Sequence, residues 1–222
     1  HAPLEQAFEL FEGDRLVPQL EIGPVPPLRR CWFKNDQGTV LVQVQPDRFA
    51  HNWRRPSLEE PYPKYPDIRE DFIRDFRVFQ DFVSQKLGQS LAYNQCEITY
   101  VNPIPVEPDF QSFGQLNKVL TILTNEYSSD FLQEPEDINI VLRYIFRDKD
   151  KNPVGRLHVN VMPVRDQAGK AHFLLRLTSR GKPMGEGEKG ILDFMDTGHK
   201  WIVRGFTSIT TEYMHEKWGI IK

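Results

Sequence analysis

The sequence predicts an α+β protein in which antiparallel strands pack against two long helices. Three observations carry that expectation. Apolar residues recur at helical spacing through two long stretches, about 67–87 and 188–207. Between them run alternating segments separated by turn signals, the mark of antiparallel strands. The composition is that of an ordinary globular chain, with 39% hydrophobic and 27% charged residues among 222.

The elements follow in order. Residues 5–12 (EQAFELFE) alternate loosely and predict a first strand. Residues 13–30 carry Pro18, Pro24, Pro26 and Pro27 and read as an extended lead-in. Cys31-Trp32-Phe33, the turn Asn35-Asp36-Gln37-Gly38 and the run TVLVQVQ predict a hairpin. Residues 48–54 alternate Phe49, His51 and Trp53 against Arg48, Ala50, Asn52 and Arg54, a third strand. Prolines 56, 61, 63 and 66 make a stiff connector.

A helix then starts near Asp67, whose charge suits the helix dipole. Ile68, Phe72, Phe76, Phe79, Val83 and Leu87 step by three and four along it, and Gly88 stops it. Phe72, Phe76, Phe79 and Phe82 could be read as a ligand stripe; at this spacing they are expected in a core. Residues 92–101 predict a strand, and 113–123 a short helix. Strands at about 137–147, 155–164 and 171–180 form a meander around the turns KDKDKNP and RDQAGK. The last long helix has an apolar face of Ile191, Phe194, Met195, Ile202, Phe206 and Ile209. Gly198 and Gly205 fall within that stripe, and each costs roughly 1 kcal/mol of helix stability against Ala. Close approach of the helix to a sheet would compensate. A final helix at 212–218 has Thr211 as its cap and Gly219 as its stop.

The layout reads as one α+β domain over 1–222, with a hint of two similar strand–helix halves at 1–102 and 137–222. A curved antiparallel sheet gripping the last helix, as in helix-grip folds, is the expected architecture.

Net charge is −3, which lacks the basic excess of a nucleic-acid binder. No run approaches the roughly 18 apolar residues of a spanning helix. Two cysteines, Cys31 and Cys96, are too few for a disulfide framework, and both are expected buried on strands. No secretory leader is legible, so a cytoplasmic home is expected.

The meander predicts a shared polar face. Alternation places Arg143 and Arg147 on one strand, Arg156, His158 and Asn160 on the next, and His172 and Arg176 on the third. Three readings compete: a solvated surface, a homodimer interface, and a site for an anionic ligand, nucleic acid or protein partner, since arginines bind carboxylate and phosphate bidentately. Trp53 and Arg54 in RFAHNWRR could stack a ring, or could be a strand end with solvated charges.

Catalytic patterns are weak. Gly185-Glu186-Gly187-Glu188-Lys189-Gly190 is formally G-x-G-x-x-G. Two glutamates beside a pyrophosphate, and no strand after the helix, make it a flexible helix entry instead. Asp193, Asp196 and His199 sweep around the last helix and make a poor metal triad. No metal and no cofactor is expected. His51 and His215 lack a local carboxylate arrangement.

Several segments together resemble an uncharacterised bacterial protein family known mainly from genome annotation. They are Ala2-Pro3-Leu4-Glu5, VQVQPDRFAHNW (42–53), the helix from Tyr62 to Phe82, ITYVNPI (98–104) and LDFMDTGHKWIVRGFTSITTEYMHEKWG (192–219). The resemblance implies a bacterial, soluble, cytoplasmic protein and brings no activity, cofactor or substrate. The expected function is non-enzymatic binding through the sheet face, as a homodimer. A small-molecule site beneath the Gly198/Gly205 helix, or an enzyme acting on nucleic acid or a phosphate ester, are the alternatives.

Overall fold

The structure is a computed structural model that describes residues 9, 11, 29–55, 62–106, 113–123, 129–132, 135, 138–166 and 168–220. The expected first strand and the proline-rich lead-in lie largely outside these residues, as does most of the 56–66 connector. Glu9 and Phe11 are described and belong to no helix or strand.

The described residues cluster into two compact units. One lies between Arg29 and Ala92. The other runs from Tyr93 onward and includes Glu9 and Phe11.

The first unit is a three-stranded antiparallel meander followed by a long helix. Strands β1 (Cys31–Lys34), β2 (Val40–Gln45) and β3 (Arg48–Trp53) lie in that order. Helix α1 (Tyr65–Leu87) has the Asp67 carboxylate accepting the Lys64 N–H at 3.2 Å, and ends at Gly88 with φ 61°. Phe49 of β3 sits 5.3 Å from both Phe76 and Phe79 and 6.0 Å from Phe72. That bears out the core reading for three of the four phenylalanines. Phe82 is exposed instead. At about 100° per residue it lies roughly 120° around the helix from Phe76, and Val83 takes the buried position. Cys31 is also a correction. It is exposed, because β1 is an edge strand whose side chains mostly face solvent, whereas Cys96 is buried.

The second unit repeats the order of meander then helix. Strands β4 (Cys96–Pro105), β5 (Ile140–Arg147), β6 (Pro153–Arg165) and β7 (Ala171–Gly181) form one antiparallel sheet in the order β4-β7-β6-β5. Helix α2 (Gly187–Ile209) lies against one face, packing mainly on β4 and β7. Leu157, Val159 and Val161 of β6 and Phe173, Leu175 and Leu177 of β7 point at it and are nearly inaccessible. Ile191, Phe194, Ile202 and Ile209 return the contact from α2.

The two glycines of α2 explain how close that contact is. A Cβ on Gly198 would lie 2.9 Å from Ile98 Cγ2 and 3.0 Å from Ser179 Oγ, and one on Gly205 would lie 2.6 Å from Leu157 Cδ2. The helix loses intrinsic stability at both positions and gains a nearer sheet. A 3-10 turn (Phe113–Lys118) leads into Leu120, which bridges to Thr210 at the end of α2. Helix α3 (Glu212–Lys217) follows, capped by Thr211.

Candidate functional site

The expected polar patch assembles on the face of the second sheet opposite α2. The register sets its rows. Arg143 of β5, His158 of β6 and Thr178 of β7 are successive cross-strand partners, and so are Val141, Asn160 and Arg176. Arg156 stands between Ile145 and Arg180. His172 shares the parity of Arg176 but lies at the far end of β7, where its Nδ1–H donates to the Lys170 carbonyl at 3.0 Å.

Arg147 departs from the patch. The β5–β6 ladder shifts register between Phe146 and Arg147, and the Arg147 guanidinium donates to the Lys151 carbonyl at 2.8 Å. Trp53 and Arg54 belong to the first unit. The Trp53 ring meets Tyr62 edge-on at 4.8 Å, and Arg54 Nε donates to the Gly38 carbonyl at 2.9 Å.

An acid that sequence reading did not connect to this face sits on it. The Glu9 carboxylate accepts from Arg156 at 2.6 Å and pairs with His158 Nε2; Arg180 lies 3.6 Å away. Its side chain is 5% exposed. A desolvated carboxylate is costly unless charge and hydrogen bonds replace its water, and here three basic side chains do so. Arg180 is held in turn by Glu97 at 2.7 Å, and the Glu9 backbone N–H donates to Gln95 Oε1 at 3.2 Å. Phe11 lies beneath the Arg156 guanidinium at 4.5 Å. Arg143 and Arg176 remain exposed. Glu9 was not legible because 149 residues separate it from His158 in the chain.

The other face carries a groove of about 1070 Å³ between α2 and the β5–β6 hairpin. It exists because α2 packs mainly on β4 and β7, leaving Tyr144 exposed on the inner side of β5 while Phe146 next to it is covered. Tyr144, Leu157, Trp201 and Gly205 line its apolar part. Phe146 backs Trp201 in a stacked arrangement, with centroids 5.1 Å apart.

Lys200 and Arg204, one turn apart on α2, line the groove together with Arg147 and Lys149 from the hairpin. Asp148 and Asp150 also border the groove. The Asp148 carboxylate is engaged by the turn itself, accepting N–H groups of Asp150 at 2.9 Å and Asn152 at 2.8 Å. The groove therefore presents a surplus of positive charge in a chain whose net charge is −3.

His51 and His199 find partners distant in sequence, while His215 is held by the nearby Thr210. His51 Nδ1 pairs with Asp75 at 3.0 Å. His199 Nδ1 and Tyr100 Oη share a hydrogen bond of 3.0 Å. Burial pulls the His199 imidazole below its ordinary value, against the opposing pull of Asp196. The Thr210 hydroxyl donates to the Phe206 carbonyl at 2.7 Å and so accepts from His215 Nε2–H, also at 2.7 Å. That leaves His215 a donor rather than a base toward this hydroxyl. The G-x-G-x-x-G segment closes on itself, with Met184 N–H donating to the Gly190 carbonyl at 2.9 Å.

Among the described residues no three His, Cys, Asp or Glu side chains converge as metal ligands, and no helix is long and apolar enough to cross a membrane. No protein-family model matches the chain, and neither a curated protein nor a solved structure does.

Proposed function

We propose that this protein is a non-enzymatic binding protein whose ligand site is the groove between α2 and the β5–β6 hairpin, and that it takes a small amphipathic anion. One observation carries the reading. The groove combines an apolar lining of Tyr144, Leu157 and Trp201 with the cations Lys149, Lys200, Arg147 and Arg204. Ligand pockets are commonly mostly apolar with a few placed polar groups, and of roughly 300–1000 Å³. The sheet face has less to offer a soluble anion, since Glu9 already engages Arg156, His158 and Arg180. The cytoplasm of a bacterium suits this reading, through the family resemblance and the two free thiols.

The test is a titration with 8-anilinonaphthalene-1-sulfonate, read by its fluorescence. Saturable binding is expected. Lys200→Glu/Arg204→Glu should weaken it about tenfold, a change of about 1.4 kcal/mol, while the uncharged analogue N-phenyl-1-naphthylamine loses much less. Absence of saturable binding, or equal affinity in the charge-reversal variant, would overturn the assignment.

A second reading rests on the outer sheet face. Val101, Val141 and Ile145 are exposed there beside Arg143 and Arg176. Apolar side chains interleaved with arginine suit an interface between two copies. Light scattering on the wild type and on Arg143→Glu/Arg176→Glu separates the cases. A dimer split by the variant supports the interface, and a monomer in both excludes it.

A further inference from the structure

We infer that the edge of β5 is a self-association site, where a second copy of this chain lays its own β5 antiparallel about a two-fold axis at Tyr144. The sheet order β4-β7-β6-β5 leaves two edges. An edge strand offers a row of backbone N–H and C=O groups to any strand that reaches it, and proteins commonly blunt such edges with proline or charge. β4 is blunted in that way, since Pro103 and Pro105 lack the N–H that a ladder needs. β5 is not. Its sequence, IVLRYIFR, holds no proline and no glycine, and among the described residues it pairs with β6 alone. The irregularity in the β5–β6 ladder places its extra residue, Val154, on β6, so β5 itself runs on without interruption. Val141 and Ile145 are exposed on its outer side, and Tyr144 is exposed on the groove side. A contact with one face of the sheet would cover one of these sets. A strand laid along the edge reaches both.

The occupant is a second copy because β5 complements itself. Residues directly opposite in an antiparallel pair point to the same face, so the two-fold axis must set one residue against its own copy. Centring on Tyr144 sets Arg143 opposite Ile145 of the second copy, Val141 opposite Arg147, and Leu142 opposite Phe146. The paired stretch is then 141–147, and each arginine lies against an aliphatic side chain. Centring on Arg143 would oppose that guanidinium to its own copy, and centring on Ile145 would oppose Arg143 to Arg147. Like charges directly opposite are destabilising. Centring on Leu142 shortens the ladder to 140–144. The Tyr144 register alone joins length to separation of charge. It is also distinct from a contact through the outer face, because Arg176 lies on the interior strand β7 and takes no part in it.

The experiment reads both the association and its register. Wild-type protein at about 0.2 mM, enough to populate a contact of micromolar Kd, is expected to be a dimer by light scattering. Arg176→Glu should remain a dimer. In a Cys31→Ser background, Tyr144→Cys should give a disulfide-linked dimer under mild oxidation with copper phenanthroline, because opposed Cβ atoms lie about 4.5–5.5 Å apart. Val141→Cys in the same background should not, its two copies being separated by about 20 Å along the ladder. Cys96 is buried and takes no part.

Where Tyr144→Cys fails to fold, a mixture of Arg143→Cys and Ile145→Cys proteins, both changed at exposed positions, tests the same register. The two should link to each other in preference to themselves. A monomeric wild type, a dimer that Arg176→Glu splits, or cross-linking at Val141→Cys as readily as at Tyr144→Cys would overturn the proposal. So would a dimer that neither the 144 nor the 143/145 cysteines link. None of these readouts uses a groove ligand, so the edge contact and the anion site stand or fall separately.

Discussion

Substitution of Gly155 by alanine tests the packing that shapes the groove. Gly155 lies on β6 opposite Phe146 of β5. A Cβ there would meet Phe146 Cζ at 2.2 Å, Cε2 at 2.6 Å and the Arg180 carbonyl oxygen at 2.8 Å. Carbon atoms rest at about 3.5–4.0 Å, so the ring must retreat by about 1.3 Å or more. It has little room, being 1% exposed and flanked by Trp201 at 5.1 Å and Phe194 at 5.9 Å. Overpacking of this kind costs about 1–3 kcal/mol, and the crowding argues for the upper end. Loss of glycine entropy in the unfolded chain returns about 0.4–1 kcal/mol. The net expectation is destabilisation by about 2 kcal/mol, or roughly 4–8 °C in Tm for a chain of this size.

Thermal unfolding followed by near-ultraviolet circular dichroism reads it. The displaced ring also presses on Trp201, so 8-anilinonaphthalene-1-sulfonate affinity should fall with stability. Phe146→Leu in the same chain should relieve the clash, making the double variant more stable than the sum of the single changes by about 1 kcal/mol or more. A Gly155→Ala protein as stable as the wild type would refute the idea that Phe146 is seated over this glycine.

Three further outcomes follow from local chemistry. Burial pushes the Cys96 thiol up to about 12, so at pH 8 it stays protonated and inert. Ellman's reagent should titrate one thiol, Cys31, in the native protein and two after denaturation. His199 has a folded value below the ordinary imidazole value, so the unfolded chain binds its proton more readily. Its contribution to stability should be complete above about pH 6.5 and decline as the pH falls from there toward the lower folded value. Urea midpoints between pH 7.5 and 5.5 should fall less in His199→Gln than in wild type. The Thr211 hydroxyl accepts the Met214 N–H at 3.4 Å and donates to the Lys118 carbonyl at 2.5 Å. Thr211→Ala should cost about 2 kcal/mol, one for the cap and one for the lost donor, and Thr211→Ser much less.

What could be read from the sequence was what is local in it. Alternation in β6 and β7 places Arg156, His158 and Arg176 on one face and Leu157, Val159 and Leu175 on the other, as the structure does. The glycines of α2 mark close approach because a long amphipathic helix tolerates them only with compensation. Where the reading stopped, long-range partners decide. His51 with Asp75, Tyr100 with His199 and Glu9 with His158 are each assembled by packing across many residues. The groove was harder still, because it is defined by what α2 leaves uncovered. Periodicity gives the buried face of a helix but not which strands it lies across. Phe82 and Cys31 show the same limit at single residues, since one position around a helix, or an edge strand in place of a central one, reverses burial.

The groove and the Glu9 cluster can be separated experimentally because β6 alternates between them. Arg156 and His158 project to the face that holds Glu9, while Leu157 between them borders the groove. The cations also differ: Arg156, His158 and Arg180 on one side, Lys149, Lys200 and Arg204 on the other. Sites with no shared partners behave additively, usually to within about 0.5 kcal/mol. Glu9→Gln should therefore leave 8-anilinonaphthalene-1-sulfonate affinity within about twofold of wild type. Loss of dye affinity in Glu9→Gln, in a protein that remains folded, would mean that β6 shifts as a unit. The groove and the Glu9 cluster would then be coupled through that strand, and the charge-reversal test of the groove would have to be read together with the state of Glu9.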